Sequence, residues 1–154
     1  MIALLQRVTA ARVEINGQTQ AAIERGMLAL VCAERGDSQR EAFALAEKTL
    51  AFRMFQDGTE RMNLNLIEAH GRLLAVPQFT LAADTGRGRR PSFTKGAEPE
   101  LAHALFQHFV STAEIRLGSV EVGVFGANMQ VSLTNDGPVT FWLRVAPGDE
   151  EKKQ

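Results

Sequence analysis

The chain has 154 residues, 45% of them hydrophobic and 23% charged, with a formal net charge of −1. That length suits one domain able to bury about two thirds of its unfolded surface, and the composition is ordinary for a soluble globular protein. The near-neutral balance excludes a global attraction to a polyanion, so any RNA contact has to be a local patch.

Residues 2 to 15 alternate loosely between apolar and polar and end at Asn16-Gly17, a pair favoured where both central turn positions need positive φ. A returning antiparallel strand is expected over 18 to 24. Met27 to Ala33 is apolar throughout, which predicts a central strand covered on both faces, closed by Gly36-Asp37. Ser38 and Glu41 have capping-box spacing, and Ala42, Leu45, Ala46, Thr49 and Leu50 recur every three or four positions, predicting a helix from 38 to 51. Arg53-Met54-Phe55 reads as a short strand, 56 to 59 as a turn, and Arg61 to Leu64 as a further extended piece.

Leu73-Leu74-Ala75-Val76 is a short apolar run that passes directly into Pro77-Gln78-Phe79-Thr80-Leu81. A second helix is expected from Pro99, where a first-turn proline loses no intrahelical bond, through Leu101, Leu105, Phe109 and Ala113 to Gly118. Met129 to Leu133 and Phe141 to Val145 alternate as half-buried strands, and Asn135-Asp136-Gly137-Pro138 between them reads as a corner, in its plainest form a hairpin turn. Beyond Ala146 the sequence is polar and without apolar period, so residues 1–146 are expected to form a single domain and 147–154 a frayed tail. With no internal repeat, the pattern predicts an α+β fold: curved, antiparallel-rich sheets forming a barrel-like core, with two main helices packed on one side.

Cys32 stands alone inside an apolar run and cannot make an internal disulfide, and His70, His103 and His108 form no ligand cluster with it. Neither a metal nor an organic cofactor is expected. The sequence shows no signal-peptide pattern and no run approaching the roughly 18 apolar residues of a membrane span, which predicts a cytoplasmic protein without a membrane partner.

Gln78 and Thr80 are the candidate chemical groups. A hydroxyl nucleophile needs a base in hydrogen-bond reach, and no neighbour of Thr80 supplies one; Asp84 is a remote possibility. Thr80 therefore stands between a direct catalytic role and that of a strand residue whose hydroxyl ties down the backbone. The Gln78 amide, or the backbone N–H groups around Phe79 and Thr80, suit stabilisation of negative charge developing on a carbonyl oxygen. Arg87, Arg89, Arg90 and Lys95 crowd a Gly-rich loop, either as a solvated basic loop or as a grip on phosphates.

Pro77-Gln78-Phe79-Thr80-Leu81, Gly88-Arg89-Arg90-Pro91-Ser92-Phe93 and Asn135-Asp136-Gly137-Pro138-Val139-Thr140, together with Leu5-Gln6-Arg7-Val8 and Phe125 to Val131, resemble the D-aminoacyl-tRNA deacylase family from Met1 to about Val145. The resemblance implies a homodimer with its active site at the subunit interface, acting on aminoacyl-tRNA and not on DNA. It implies that residues 77–80 form the pocket for the terminal adenosine and the aminoacyl group. The substrate's own ribose 2′-hydroxyl would assist hydrolysis, which accounts for the missing protein base. It further implies that Gly137-Pro138 is a cis pair reaching into the partner's pocket, its carbonyls meeting the α-amino group and leaving no room for an L side chain. Met129, Phe55, Met62 and Asn63 become candidate pocket walls, with core packing the plainer account of Phe55 and Met62. Glycyl-tRNA, glycine mischarged on tRNA(Ala), is achiral and would pass such a filter.

One departure is Pro77, where the family motif opens with serine. Proline there is similar to a related branch that clears other misacylated tRNAs, so a deacylase for a misacylated L-amino acid on a non-cognate tRNA is the rival enzyme. The lack of an acid/base constellation keeps a non-catalytic RNA-binding dimeric module as the rival of another class.

Overall fold

The structure, a computed structural model, describes residues 1–86 and 88–149. Its elements in chain order are β1 (Ile2–Ile15), β2 (Gln18–Ile23), β3 (Gly26–Cys32), α1 (Gln39–Ala51), β4 (Phe55–Gln56), β5 (Met62–Leu64), β6 (Arg72–Pro77), a 3₁₀ turn (Phe79–Ala82), α2 (Pro99–Leu117), β7 (Glu121–Val122) and β8 (Gln130–Arg144). β1 is the hub. Its first half pairs antiparallel with β3 and its second half with β2, while β8 runs antiparallel along its other side. The order β2-β1-β3-β6-β7 continues through two parallel pairings, β3 with β6 and β6 with β7. The sheet curls until β2 approaches β6 and β7, giving the expected barrel-like α+β core.

The unbroken apolar run of β3 is explained by two layers. Met27, Ala29 and Val31 pack under the helices with Leu45 and Leu50 of α1 and Leu105 and Phe109 of α2. Leu28 points the other way and joins Val8, Val13, Ile23, Leu74 and Val76 inside the curl. Successive strand residues face opposite sides, so a strand buried on both must be apolar at every position. Helix α1 begins with the predicted capping box: Ser38 N–H donates to Glu41 Oε2 at 2.8 Å, and Arg40 N–H to Ser38 Oγ at 3.2 Å. Helix α2 ends at Gly118, whose φ of +80° is the left-handed geometry that glycine supplies at a helix C-terminus.

The last strand departs from expectation. Residues 129–133 and 141–145 do not pair with each other across a hairpin; from Gln130 to Arg144 they lie in the single strand β8 against β1. Gln6 faces Thr140 and Val8 faces Asn135, so β1 advances two positions while β8 advances five. The excess is extruded as a bulge carrying Asp136, Gly137, Pro138 and Val139. Residues 147–149 form a turn in which Ala146 N–H donates to Asp149 Oδ2 at 2.7 Å; 150–154, the rest of the expected tail, lie outside the described residues. Among the described residues no helix is long and apolar enough to cross a membrane.

Candidate functional site

The bulge is held from both ends. Asn135 at its neck closes a ring: its Oδ1 accepts from Val139 N–H at 2.6 Å, and its Nδ2 donates to Val139 O at 3.3 Å and to Thr140 Oγ1 at 3.0 Å. Arg7, a strand residue only 7% exposed, reaches under the base. Its Nε donates to Asp136 O and its Nη1 to Met54 O, each at 2.9 Å, and Asp136 Oδ2 lies 3.4 Å from Nε. At the tip the Gly137–Pro138 bond is cis and Gly137 has φ +149°, a region that L side chains rarely adopt. Both tip residues are exposed. Beside them opens a cleft of about 490 Å³, lined by Arg7, Gln56, Arg61, Met62, Gly137 and Pro138 among others.

Asn135 is legible in hindsight, because Asn side chains habitually bond the backbone of their own turn. Arg7 carried no such signal: an arginine in an alternating strand reads as solvent-facing, and only the fold shows it buried against two carbonyls.

The second group lies at the end of β6. Gln78 N–H donates to Val31 O at 2.8 Å, and the chain then tightens into the 3₁₀ turn, with Ala83 N–H bonded to Thr80 O at 3.1 Å. Thr80 is therefore on a turn and not in a strand, as one reading had it, and its hydroxyl accepts from the Gln78 side-chain amide. The pair forms a small donor array, because the Gln78 amide keeps a second N–H and the Thr80 hydroxyl keeps its proton. Phe79 is 61% exposed and meets Phe93 edge-on, ring centroids 5.1 Å apart. Pro77 and Met129 converge on Gly123, where a Cβ would lie 3.4 Å from Pro77 Cδ and 3.0 Å from Met129 Sδ.

No described carboxylate or imidazole is hydrogen-bonded to Thr80. Asp84 accepts from Gly86 N–H at 2.9 Å and pairs with Lys95 at 3.1 Å, contacts that hold its carboxyl below the usual range and make it a poor base. His103 stacks on Phe125, centroids 4.8 Å apart. Beneath the turn, Cys32 Sγ donates to Ala33 O at 3.4 Å and Phe79 O at 3.5 Å, and burial pushes its thiol up to about 11. It is a protonated packing group, not a nucleophile. Among the described residues no cluster of His, Cys, Asp and Glu could hold a metal ion.

The candidate pocket walls divide. Phe55 is fully buried core, whereas Met62 is 44% exposed and lines the cleft beside Gly137 and Pro138, against the plainer expectation of core packing. Asn63 turns away to bond Asp57 Oδ2 at 2.7 Å. In the basic loop Arg89 and Arg90 are exposed, Lys95 is engaged by Asp84, and Arg87 lies outside the described residues. The structure thus brings Gln78 to Thr80 and Pro77 to Met129. It places Gly137 and Pro138 on a different cleft, whose lining includes none of residues 77–80.

Residues 4–144 match the profile of a family described as D-Tyr-tRNA(Tyr) deacylase. The chain is 56% identical over 147 residues to a D-aminoacyl-tRNA deacylase of Janthinobacterium sp. (strain Marseille), covering 96% of this chain and 99% of that one. It is 54% identical over 145 residues to a D-aminoacyl-tRNA deacylase of Haemophilus influenzae (strain PittEE), covering 94% and 100%. Among solved structures, the c-Myc DNA Unwinding Element Binding Protein superposes with a TM-score of 0.90 at 33% identity, over 95% of this chain and 99% of that one. A probable eukaryotic D-amino acid tRNA deacylase shares the fold, with a TM-score of 0.80 at 17% identity over 94% and 98%.

Proposed function

Because the chain belongs to the D-Tyr-tRNA(Tyr) deacylase family and hydrolyses the ester of D-aminoacyl-tRNA, we propose how its two separated groups divide the work. Two chains associate, and the Gly137-Pro138 tip of each enters the pocket built on residues 77–80 of the other. The observation that carries this reading is the bulge itself. Asn135 and Arg7 bracket it rigidly, its tip is exposed, and it stands on a strand that pairs only with β1 among the described residues. The backbone carbonyls at the tip meet the α-amino group of the bound aminoacyl unit. An L side chain would then run into the tip, so the wrong hand is penalised more than the right one is attracted. Glycine has no side chain to exclude, and glycyl-tRNA mischarged on tRNA(Ala) is accepted.

On the opposite wall, the Gln78 amide and Thr80 hydroxyl donate to the carbonyl oxygen as water adds to the acyl carbon, a stabilisation worth a few kcal/mol of barrier. The 2′-hydroxyl of the substrate ribose manages the proton on its way to the departing 3′-oxygen, and free D-amino acid and tRNA leave. Pro77 and Met129 shape the wall between, and Phe79 offers an exposed ring to the adenine. Arg89 and Arg90, with Arg87, hold phosphates of the tRNA, while Lys95 acts through the Asp84 pair that fixes the loop. The reaction needs no cofactor and takes place in the cytoplasm, where charged tRNA is met.

The test is hydrolysis of D-tyrosyl-, L-tyrosyl- and glycyl-tRNA by the purified protein with chelator present. Cleavage of the D and glycyl substrates with the L substrate intact is expected. Preferential cleavage of the L substrate would turn the reading to the misacylated-L deacylase that Pro77 suggests. Thr80→Ala should slow D-tyrosyl-tRNA hydrolysis by about 10- to 100-fold, the value of one hydrogen bond to a developing charge; abolished turnover with unchanged tRNA binding would make Thr80 a nucleophile and not a donor.

A further inference from the structure

The cleft beside the bulge has a second wall that the deacylation chemistry leaves without a task. It is the turn between β4 and β5, and Asp57 builds it. One carboxylate oxygen, Oδ1, accepts from Thr59 N–H and Thr59 Oγ1, both at 2.7 Å, and from Arg61 N–H at 3.3 Å; Oδ2 accepts from Asn63 Nδ2 at 2.7 Å. The Thr59 hydroxyl first, and then Asn63, hold the Asp57 carboxyl down at about 2, so the turn keeps its anchor at any pH at which the enzyme works. With Asp57 committed, Arg61 is left exposed and without an ion pair among the described residues. Met62 beside it adds an apolar side chain to the lining of the cleft, as Pro138 does.

The cleft therefore combines about 490 Å³ of space, two apolar surfaces and a guanidinium with no ion pair among the described residues. Arg7 also lines it but is neutralised by Asp136, and Glu60 sets one carboxylate on the same lip. Space for one small ligand, flat apolar contacts for a ring and a fork-shaped cation for an oxyanion are the requirements of a nucleotide. The neighbouring tip faces the aminoacyl adenosine, so the next unit of the same strand is what comes within reach.

We propose that this cleft is a nucleotide subsite: it takes the nucleotide immediately 5′ to the terminal adenosine, its base between Met62 and Pro138 and its phosphate on Arg61. The subsite rests on the deacylase reading above, and it works across the dimer, each chain steering the strand whose ester is cut in its partner.

Two substrates separate this from other roles: D-tyrosyl-tRNA, and D-tyrosyl-adenosine ester, which lacks the preceding nucleotide and its phosphate. Arg61→Ala should raise KM for D-tyrosyl-tRNA about tenfold with kcat unchanged, reduce the salt slope of tRNA binding by about one, and leave the adenosine ester unaffected. Glu60→Gln should lower KM, and Met62→Ala should raise it about threefold without changing the salt slope. An unchanged KM in Arg61→Ala overturns the subsite. Equal losses on both substrates also overturn it, making Arg61 a residue of local structure. Wild-type protein inactive on D-tyrosyl-tRNA would overturn the deacylase reading instead, and the subsite with it.

Discussion

Gly137→Ala is expected to cost the enzyme its discrimination between D- and L-aminoacyl-tRNA before it costs turnover. A Cβ at this position would lie 2.5 Å from Val139 Cγ2 and 2.7 Å from the Val139 backbone nitrogen. The second contact is with backbone, and Val139 N–H is the group that Asn135 Oδ1 holds at 2.6 Å, so it cannot move without breaking the ring at the neck. The φ of +149° adds strain of its own, about 1–3 kcal/mol for a side-chain-bearing residue. The tip must shift, and in the proposed filter a carbonyl displaced by even an ångström would no longer fill the space an L side chain needs. A fall of about 10- to 100-fold in the D/L ratio of kcat/KM corresponds to the same 1–3 kcal/mol. Paired rate measurements on D- and L-tyrosyl-tRNA decide it, and an unchanged ratio would remove the tip from stereoselection.

Arg7→Ala should be the most damaging single change to the fold. The guanidinium is buried and satisfies two carbonyls, Asp136 O and Met54 O, which its removal leaves without that donor. Its ion pair with Asp136 counts for less, because that carboxylate is half exposed. Two stranded acceptors and the lost packing of the stem amount to about 3 kcal/mol, a large share of the 5–15 kcal/mol available to a domain. For a chain of 154 residues that is a drop in Tm of roughly 6–12 °C. Arg7→Lys should recover little, since an ammonium cannot span two carbonyls as the planar fork does. Thermal unfolding of the three proteins checks both statements, and a Tm within about 2 °C of wild type in Arg7→Ala would show that the bulge base holds without it.

What could be read from the sequence, and what could not, follows the range of the forces involved. The start of α1 was visible because Ser38 and Glu41 act on each other within one turn. The depth of β3 was visible because burial on both faces leaves no place for a polar residue between Met27 and Cys32. Pro77, Gln78, Phe79 and Thr80 were marked as one motif, although their tightening into a turn depends on Val31 accepting from Gln78 across the sheet. Asn135-Asp136-Gly137-Pro138 announced a turn but not its kind. Whether such a stretch joins two strands or is extruded from one is decided by register against β1, more than 120 residues earlier, where local turn chemistry has no say. Arg7 and Lys95 show the same limit for charge: the first is buried on carbonyls and the second is paired with Asp84.

The distance between the two groups within one chain has a consequence for genetics as much as for chemistry. If each working pocket takes its tip from one subunit and its donor array from the other, a chain carrying Gly137→Ala and a chain carrying Gln78→Ala can repair each other. In a mixed dimer both lesions fall together in one pocket, and the remaining pocket is wild type in every part. An isolated mixed dimer of two individually defective chains would then recover about half the normal activity with its stereoselectivity, and dilution that separates the subunits would abolish both at once.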